Sequence, residues 1–148
     1  MKFLVATDGS EKSRAALDYA LDLAGGGDTV TVVHAVDPDV YSEGGSEPIT
    51  DLSDADERLL VETVEDAERR GSDILEEATA HAADRGAEVE TDLLYGAPLQ
   101  VVPEYASREG FDTIVVGHRG LTERAERVVG SVAKGLVSRS PLPVVVVP

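Results

Sequence analysis

The sequence predicts an α/β protein, a five-stranded parallel sheet with helices on both faces. Three observations lead there. Short apolar runs of strand type recur five times, segments with the apolar spacing of helices lie between them, and the strand runs are apolar throughout rather than alternating. Strands buried on both sides need cover on both faces, and helix-length connections make neighbouring strands parallel.

Taken in order, Lys2 to Thr7 is the first strand. Its apolar start mimics a secretory leader, but Thr7-Asp8-Gly9-Ser10 ends it too early. Ala16, Leu17, Ala20, Leu21 and Ala24 form one helical face, which Gly25-Gly26-Gly27-Asp28 terminates. Thr29 to Val36 (TVTVVHAV) is the β-branched second strand. Residues 37–52 have no period and many turn formers, so they read as a long flexible loop, a candidate lid. Leu60, Val64, Ala67, Ile74 and Ala78 keep one helical phase across Gly71, which predicts a single helix from about Ser53 to Asp84. The glycine weakens that helix by ~1 kcal/mol relative to alanine.

Val89 to Tyr95 is the third strand. Pro98, in an allowed first-turn position, opens a helix with Leu99, Val102 and Ala106 facing inward. Pro103 removes a hydrogen bond inside it and should kink it. Thr113 to Val116 is the fourth strand, a last helix starts at about Gly130 and carries Val132, Leu136 and Val137, and Val144 to Val147 is the fifth strand. The pattern predicts one domain over residues 1–148, without internal repeat.

Composition narrows the function classes. There is no cysteine, hence no disulfide framework, thiolate metal site or cysteine nucleophile, which suits a reducing cytosol. The longest aliphatic run, Val144 to Val147, is far short of a membrane span. A soluble cytoplasmic protein is expected. The formal charge is −16, unevenly spread: five acids against three bases over residues 1–36, 22 against five over 37–112, and two against five over 113–148. So negative a body repels nucleic acid and anionic membranes, and neither is expected as a partner. Lysine occurs only at Lys2, Lys12 and Lys134, and high acidity with few lysines resembles proteins of salt-adapted organisms.

In open α/β sheets ligands bind beyond the carboxyl ends of the strands, where the strand order reverses. If the first and fourth strands are neighbours, Thr7-Asp8-Gly9-Ser10 and Gly117-His118-Arg119-Gly120 face each other across a crevice. The second of these loops runs to Gly130-Ser131 at the start of the last helix. Glycines allow close approach to a bulky anion and positive φ, and a helix amino end favours phosphate. His118, Arg119, Arg124, Arg127 and Lys134 make this the basic island of an acidic chain. Each piece has a plainer reading: the glycines as turn residues, Arg124 and Arg127 as partners of Glu123 and Glu126, Ser131 as a helix cap, and Asp8 as a cap of the first helix. His34 and His81 have no metal-ligand spacing and read as structural.

The spacing Gly117-x-x-Gly120, nine residues, then Gly130-Ser131, together with Asp8 after the first strand, resembles the nucleotide-binding branch of the universal stress protein family. The likeness runs through VATDGS at 5–10, TVVHAVD at 31–37, FDTIVVGHRG at 111–120, GSVAKGLV at 130–137 and PLPVVVVP at the end. It implies the strand order 3-2-1-4-5 and an ATP, ADP or AMP ligand. It further implies nucleoside contacts from Ala6, Thr7 and Asp8, an adenine contact from the backbone of Ala35, and a phosphate cradle of Gly117, Gly120, Gly130, Ser131 and the Val132 amide. His118 and Arg119 replace the small residue and histidine common in the family. Mg2+ or Mn2+ would bridge the phosphates, because no cluster in the sequence forms an all-protein cage. In that strand order Val144 to Val147 is an edge, and the resemblance implies a homodimer through it.

Three functions compete. A nucleotide-binding regulatory protein in the stress response fits best. A slow ATPase or phosphoryl-transfer enzyme is the alternative, but no residue stands out as a general base. A receiver or flavodoxin-like carrier would need a phospho-acceptor aspartate after the third strand, where Leu94-Tyr95-Gly96 stands, or flavin-stacking aromatics, for which only Tyr41 offers itself.

Overall fold

The computed structural model describes residues 1–37, 54–118 and 130–148, with residues 54–63 described by backbone alone. The chain runs β1 (Lys2–Ala6), α1 (Glu11–Leu23), β2 (Thr29–Val36), α2 (Asp54–Asp84), β3 (Glu90–Tyr95), α3 (Pro98–Arg108), β4 (Thr113–Gly117), α4 (Ser131–Arg139) and β5 (Val144–Val147). All strands are parallel, and their order is β3-β2-β1-β4-β5, as expected. β1 is central, with Ala6 opposite Val33 on one side and Val116 on the other.

Alternation along the strands divides the core into two layers. Phe3, Val5, Val30, Val32, Val115 and Val147 pack under α1 and α2, with Ala16, Leu17, Ala20 and Leu75. Leu4, Val33, Leu94, Ile114 and Val116 pack under α3 and α4, with Val102, Ala106, Ala133 and Leu136. Leu4, Val5, Val32, Val33, Ile114 and Val115 have no exposed surface, which is what a sheet covered on both faces demands.

Several elements differ from expectation for identifiable reasons. β1 stops at Ala6, although the Thr7 amide still donates to the Val33 carbonyl at 2.9 Å. Ala24 is the C-cap of α1 rather than its last turn, its N–H donating to Ala20. β3 is not apolar throughout: Glu90, Thr91 and Asp92 are exposed, because β3 is an edge strand. α3 runs from Pro98 to Arg108 with Pro103 inside it, the single helix the sequence leads one to expect. In α4 the inward stripe is Ala133 and Leu136, while Val132 (42%) and Val137 (57%) are exposed. The expected loop over 37–52 lies outside the described residues except for Asp37, as does Ser53.

Gly71 has a use the helical pattern does not reveal. A Cβ there would lie 2.8 Å from both His34 Cδ2 and Leu93 Cδ1, so the missing side chain lets α2 settle closely onto β2 and β3. The lower helix propensity is offset by that approach. Asp18 of α1 accepts from His81 Nε2 (2.6 Å) in the last turn of α2 and from Arg85 (2.8 Å) just beyond its end, tying α1 to this end of α2.

Candidate functional site

The carboxyl ends of β1, β2 and β4 and the amino end of α4 converge on a cavity of about 150 Å3. Nine of the eleven residues expected at a site line it: Ala6, Thr7, Asp8, Ala35, Gly117, His118, Gly130, Ser131 and Val132. Arg119 and Gly120 lie outside the described residues, as do Arg124 and Arg127. Seven more lining residues have no place in the sequence reading of the site: Ser13, Val33, His34, Pro98, Val102, Val116 and Ala133. Most of these are the apolar wall, neighbours in the fold of the polar positions that draw attention in the sequence. Ser13, three residues after the capping Ser10 and one turn into α1, could have been found from that spacing.

The β1–α1 turn is built by a closed set of hydrogen bonds. Asp8 Oδ1 accepts from the Ser10 amide (2.9 Å) and the Ser13 hydroxyl (2.8 Å). The Asp8 amide donates to Ser13 Oγ (3.1 Å), and the Ser13 amide donates to Ser10 Oγ (3.2 Å), capping the helix. Gly9, at φ +84°, turns the chain between them, its amide held by Thr7 Oγ1 at 3.1 Å. Ser10 and Ser13 are buried, and this mutual bonding satisfies them. The cap of α1 is therefore Ser10 and not Asp8, as the plainer reading had it; Asp8 braces the turn before the helix and lines the cavity.

β2 contributes a polar edge. Val33 bonds across to Thr7, and by strand alternation Ala35 turns its own N–H and C=O to the same side, where β1 has ended. Opposite, the His118 amide donates to the Val147 carbonyl at 2.7 Å, and the His118 carbonyl accepts from the Gly130 amide. The second of these bonds brings His118 and Gly130 together beside the first turn of α4. Gly130 is the N-cap, without a side-chain cap bond, and its carbonyl accepts from Lys134 at 3.0 Å. In this first turn Val132 and Ala133 have no intrahelical acceptor for their amides.

The glycines meet other demands than positive φ. Gly130 has φ −59°, and Gly117 is absent from the positive-φ glycines among the described residues. A Cβ at Gly117 would lie 2.6 Å from the carbonyl carbon and oxygen of Lys12 and 2.9 Å from the Ser13 nitrogen. Gly117 therefore lets the first turn of α1 pack on the end of β4, and so sets the width of the crevice.

An apolar wall, a carboxylate on one side and a helix amino end on the other suit a ligand with a planar, weakly polar part and an anionic part. Among the described residues no group of three or more His, Asp or Glu could hold a metal ion. No helix of the described residues is long and apolar enough to cross a membrane.

The architecture defines an open α/β protein with a crevice at the strand-order reversal. The model of the universal stress protein family matches residues 1–148. Universal stress protein YxiE of Bacillus subtilis is 32% identical over 147 residues, covering 99% of this chain and 97% of that one. The structure is similar to that of universal stress protein UspA from Lactobacillus plantarum, with a TM-score of 0.80 at 23% identity over 100% of this chain and 97% of that one. It is also similar to a universal stress protein solved in complex with cAMP, with a TM-score of 0.58 at 25% identity, covering 100% and 96% of the two chains. The chain belongs to the universal stress protein family.

Proposed function

We propose that this chain binds an adenine nucleotide, ATP or its products ADP and AMP, and acts as a regulatory protein of the cytoplasm that responds to nucleotide. One observation carries the reading: a single cavity joins an apolar wall, the Asp8 carboxylate and the first turn of α4. That a similar protein is solved with cAMP supports an adenine nucleotide. In this reading Ala6, Thr7 and Asp8 receive the nucleoside, with the carboxylate accepting from ribose hydroxyls, and the Ala35 backbone meets the adenine edge. Gly117, His118, Gly130, Ser131 and the Val132 amide line the phosphate end, to which Arg119 and Gly120 would add. A divalent ion, Mg2+ or Mn2+, would neutralise the phosphates and take its ligands mainly from them.

The test is to extract ligand from freshly purified protein, identify it by mass, and measure ATP binding by calorimetry for wild type and Gly130→Val. Gly130 has an extended backbone that valine adopts without strain, so the substitution acts through its bulk at the phosphate end. Loss of ATP binding in a folded variant is expected. Wild-type affinity would remove the α4 end from the site.

The reading includes a homodimer through β5. Val145 and Val147 pack toward α1, and Val144 and Val146 toward α3 and α4, so helices of the same chain already cover both faces. Among the described residues β5 has one ladder, with β4, and no strand on its outer backbone edge. The other edge, β3, exposes Glu90 and Asp92, charges that discourage pairing. The wholly aliphatic β5 carries no such guard.

A further inference from the structure

The geometry points to His34 as a positioning residue that holds the nucleoside end of the site from the far face of the sheet. This rests on the nucleotide-binding reading above. His34 alternates with Val33 and Ala35, which pack toward α3, so its ring lies on the face covered by α2. There Nδ1 is 2.8 Å from the carbonyl oxygen of Thr7. A carbonyl can only accept, so Nδ1 carries the hydrogen and donates, which fixes the ring tautomer. The other edge of the ring sits where Gly71 leaves space: a Cβ at 71 would lie 2.8 Å from Cδ2 and 3.5 Å from Nε2.

Every polar group of Thr7 is thereby engaged. Its amide donates to Val33, its hydroxyl accepts from Gly9, and its carbonyl accepts from His34. The first and last of these come from β2 and hold the chain at the point where β1 has ended and no ladder continues. The peptide that follows this carbonyl is that of Asp8. Through its ring His34 thus fixes the direction in which the chain enters the Asp8 turn, a role separate from its place among the residues lining the cavity. A site residue held this way loses less freedom on binding, and affinity gains accordingly.

The experiment compares His34→Leu, which keeps bulk without the donor, with His34→Asn, whose amide nitrogen can stand where Nδ1 does. Calorimetry with ATP, adenosine and tripolyphosphate is combined with amide hydrogen exchange over residues 7–10 in the nucleotide-free protein. His34→Leu should bind ATP and adenosine about tenfold more weakly, the scale of one hydrogen bond, with tripolyphosphate unchanged. Exchange at Asp8 and Gly9 should accelerate, and His34→Asn should restore both properties to near wild type. Equal loss of tripolyphosphate, unchanged exchange, or an asparagine variant as weak as the leucine one would overturn the proposal. Should wild type bind no adenine nucleotide, the functional reading fails by itself, while the exchange result still decides whether His34 orders the turn.

Discussion

Asp8 Oδ1 already accepts two hydrogen bonds from within its own turn, so this carboxylate is held in place before any ligand arrives. Asp8→Ala should lower affinity for ATP and for adenosine alike, because the proposed partner is the nucleoside half, and leave tripolyphosphate binding intact. Calorimetry with the three ligands separates the cases: equal loss of all three would place Asp8 at the phosphate or in the fold instead. The same turn shows how far single residues are legible. Asp8, Gly117 and Gly130 stand out in the sequence, and all three line the cavity. The reason Gly117 must be glycine, the backbone of Lys12 at 2.6 Å, depends on a contact across more than a hundred residues that no local pattern encodes. The apolar wall of Val33, Val102 and Val116 was equally hidden, because such residues look the same whether they face core or ligand.

Among the elements, the helices of one face are joined by ionic contacts as well as by packing. Burial at the α1–α2 contact would raise the pKa of Asp18, but hydrogen bonds from His81 and Arg85 outweigh it and hold the carboxyl below its usual range. A carboxyl with a depressed folded pKa contributes stability that is present above its unfolded value, near 3.9, and is lost as pH falls through the folded one. Asp18→Asn should therefore be less stable than wild type at neutral pH, by up to ~1 kcal/mol for a partly exposed group. Urea unfolding at pH 7 and near pH 3 should show the difference shrinking in acid; a gap independent of pH would mean that the ion pairs contribute nothing. Element types were legible from period and composition, whereas the phase of short helices was not. In α4 Val132 and Val137 are exposed while Ala133 and Leu136 are buried, because so short a helix offers too few apolar positions to define a face. In α2 the buried stripe runs through Ala67, Gly71 and Leu75, and a glycine adds nothing to an apolar count.

For the whole molecule, charge and edges make separate predictions. With a formal charge of −16, self-repulsion at low ionic strength works against the compact state, and screening relieves it. The melting temperature should rise between low and molar potassium chloride; an unchanged value would count against salt adaptation. Val146→Lys should weaken the proposed dimer by placing like charges close together across the two-fold axis. Sedimentation in the same salt reports it, and a wild-type monomer at tens of micromolar would refute that assembly. Strand order was legible only through the family resemblance; the residues by themselves left the neighbours of the first strand open, although a parallel sheet restricts the topologies.

The central place of β1 has a consequence for synthesis. Of the five strands β1 is made first, and β2 and β3 can join it while the rest of the sheet is still being made. Its other neighbour, β4, pairs Phe3 with Thr113, and the helix that closes the cavity begins only at Ser131. Until then the nascent sheet has an open flank at its most apolar strand, the kind of exposed edge on which growing chains aggregate. The proposed nucleotide could not protect that flank, since the β4 and α4 sides of the cavity have not been translated. The protein must complete its sheet before the proposed ligand could recognise it.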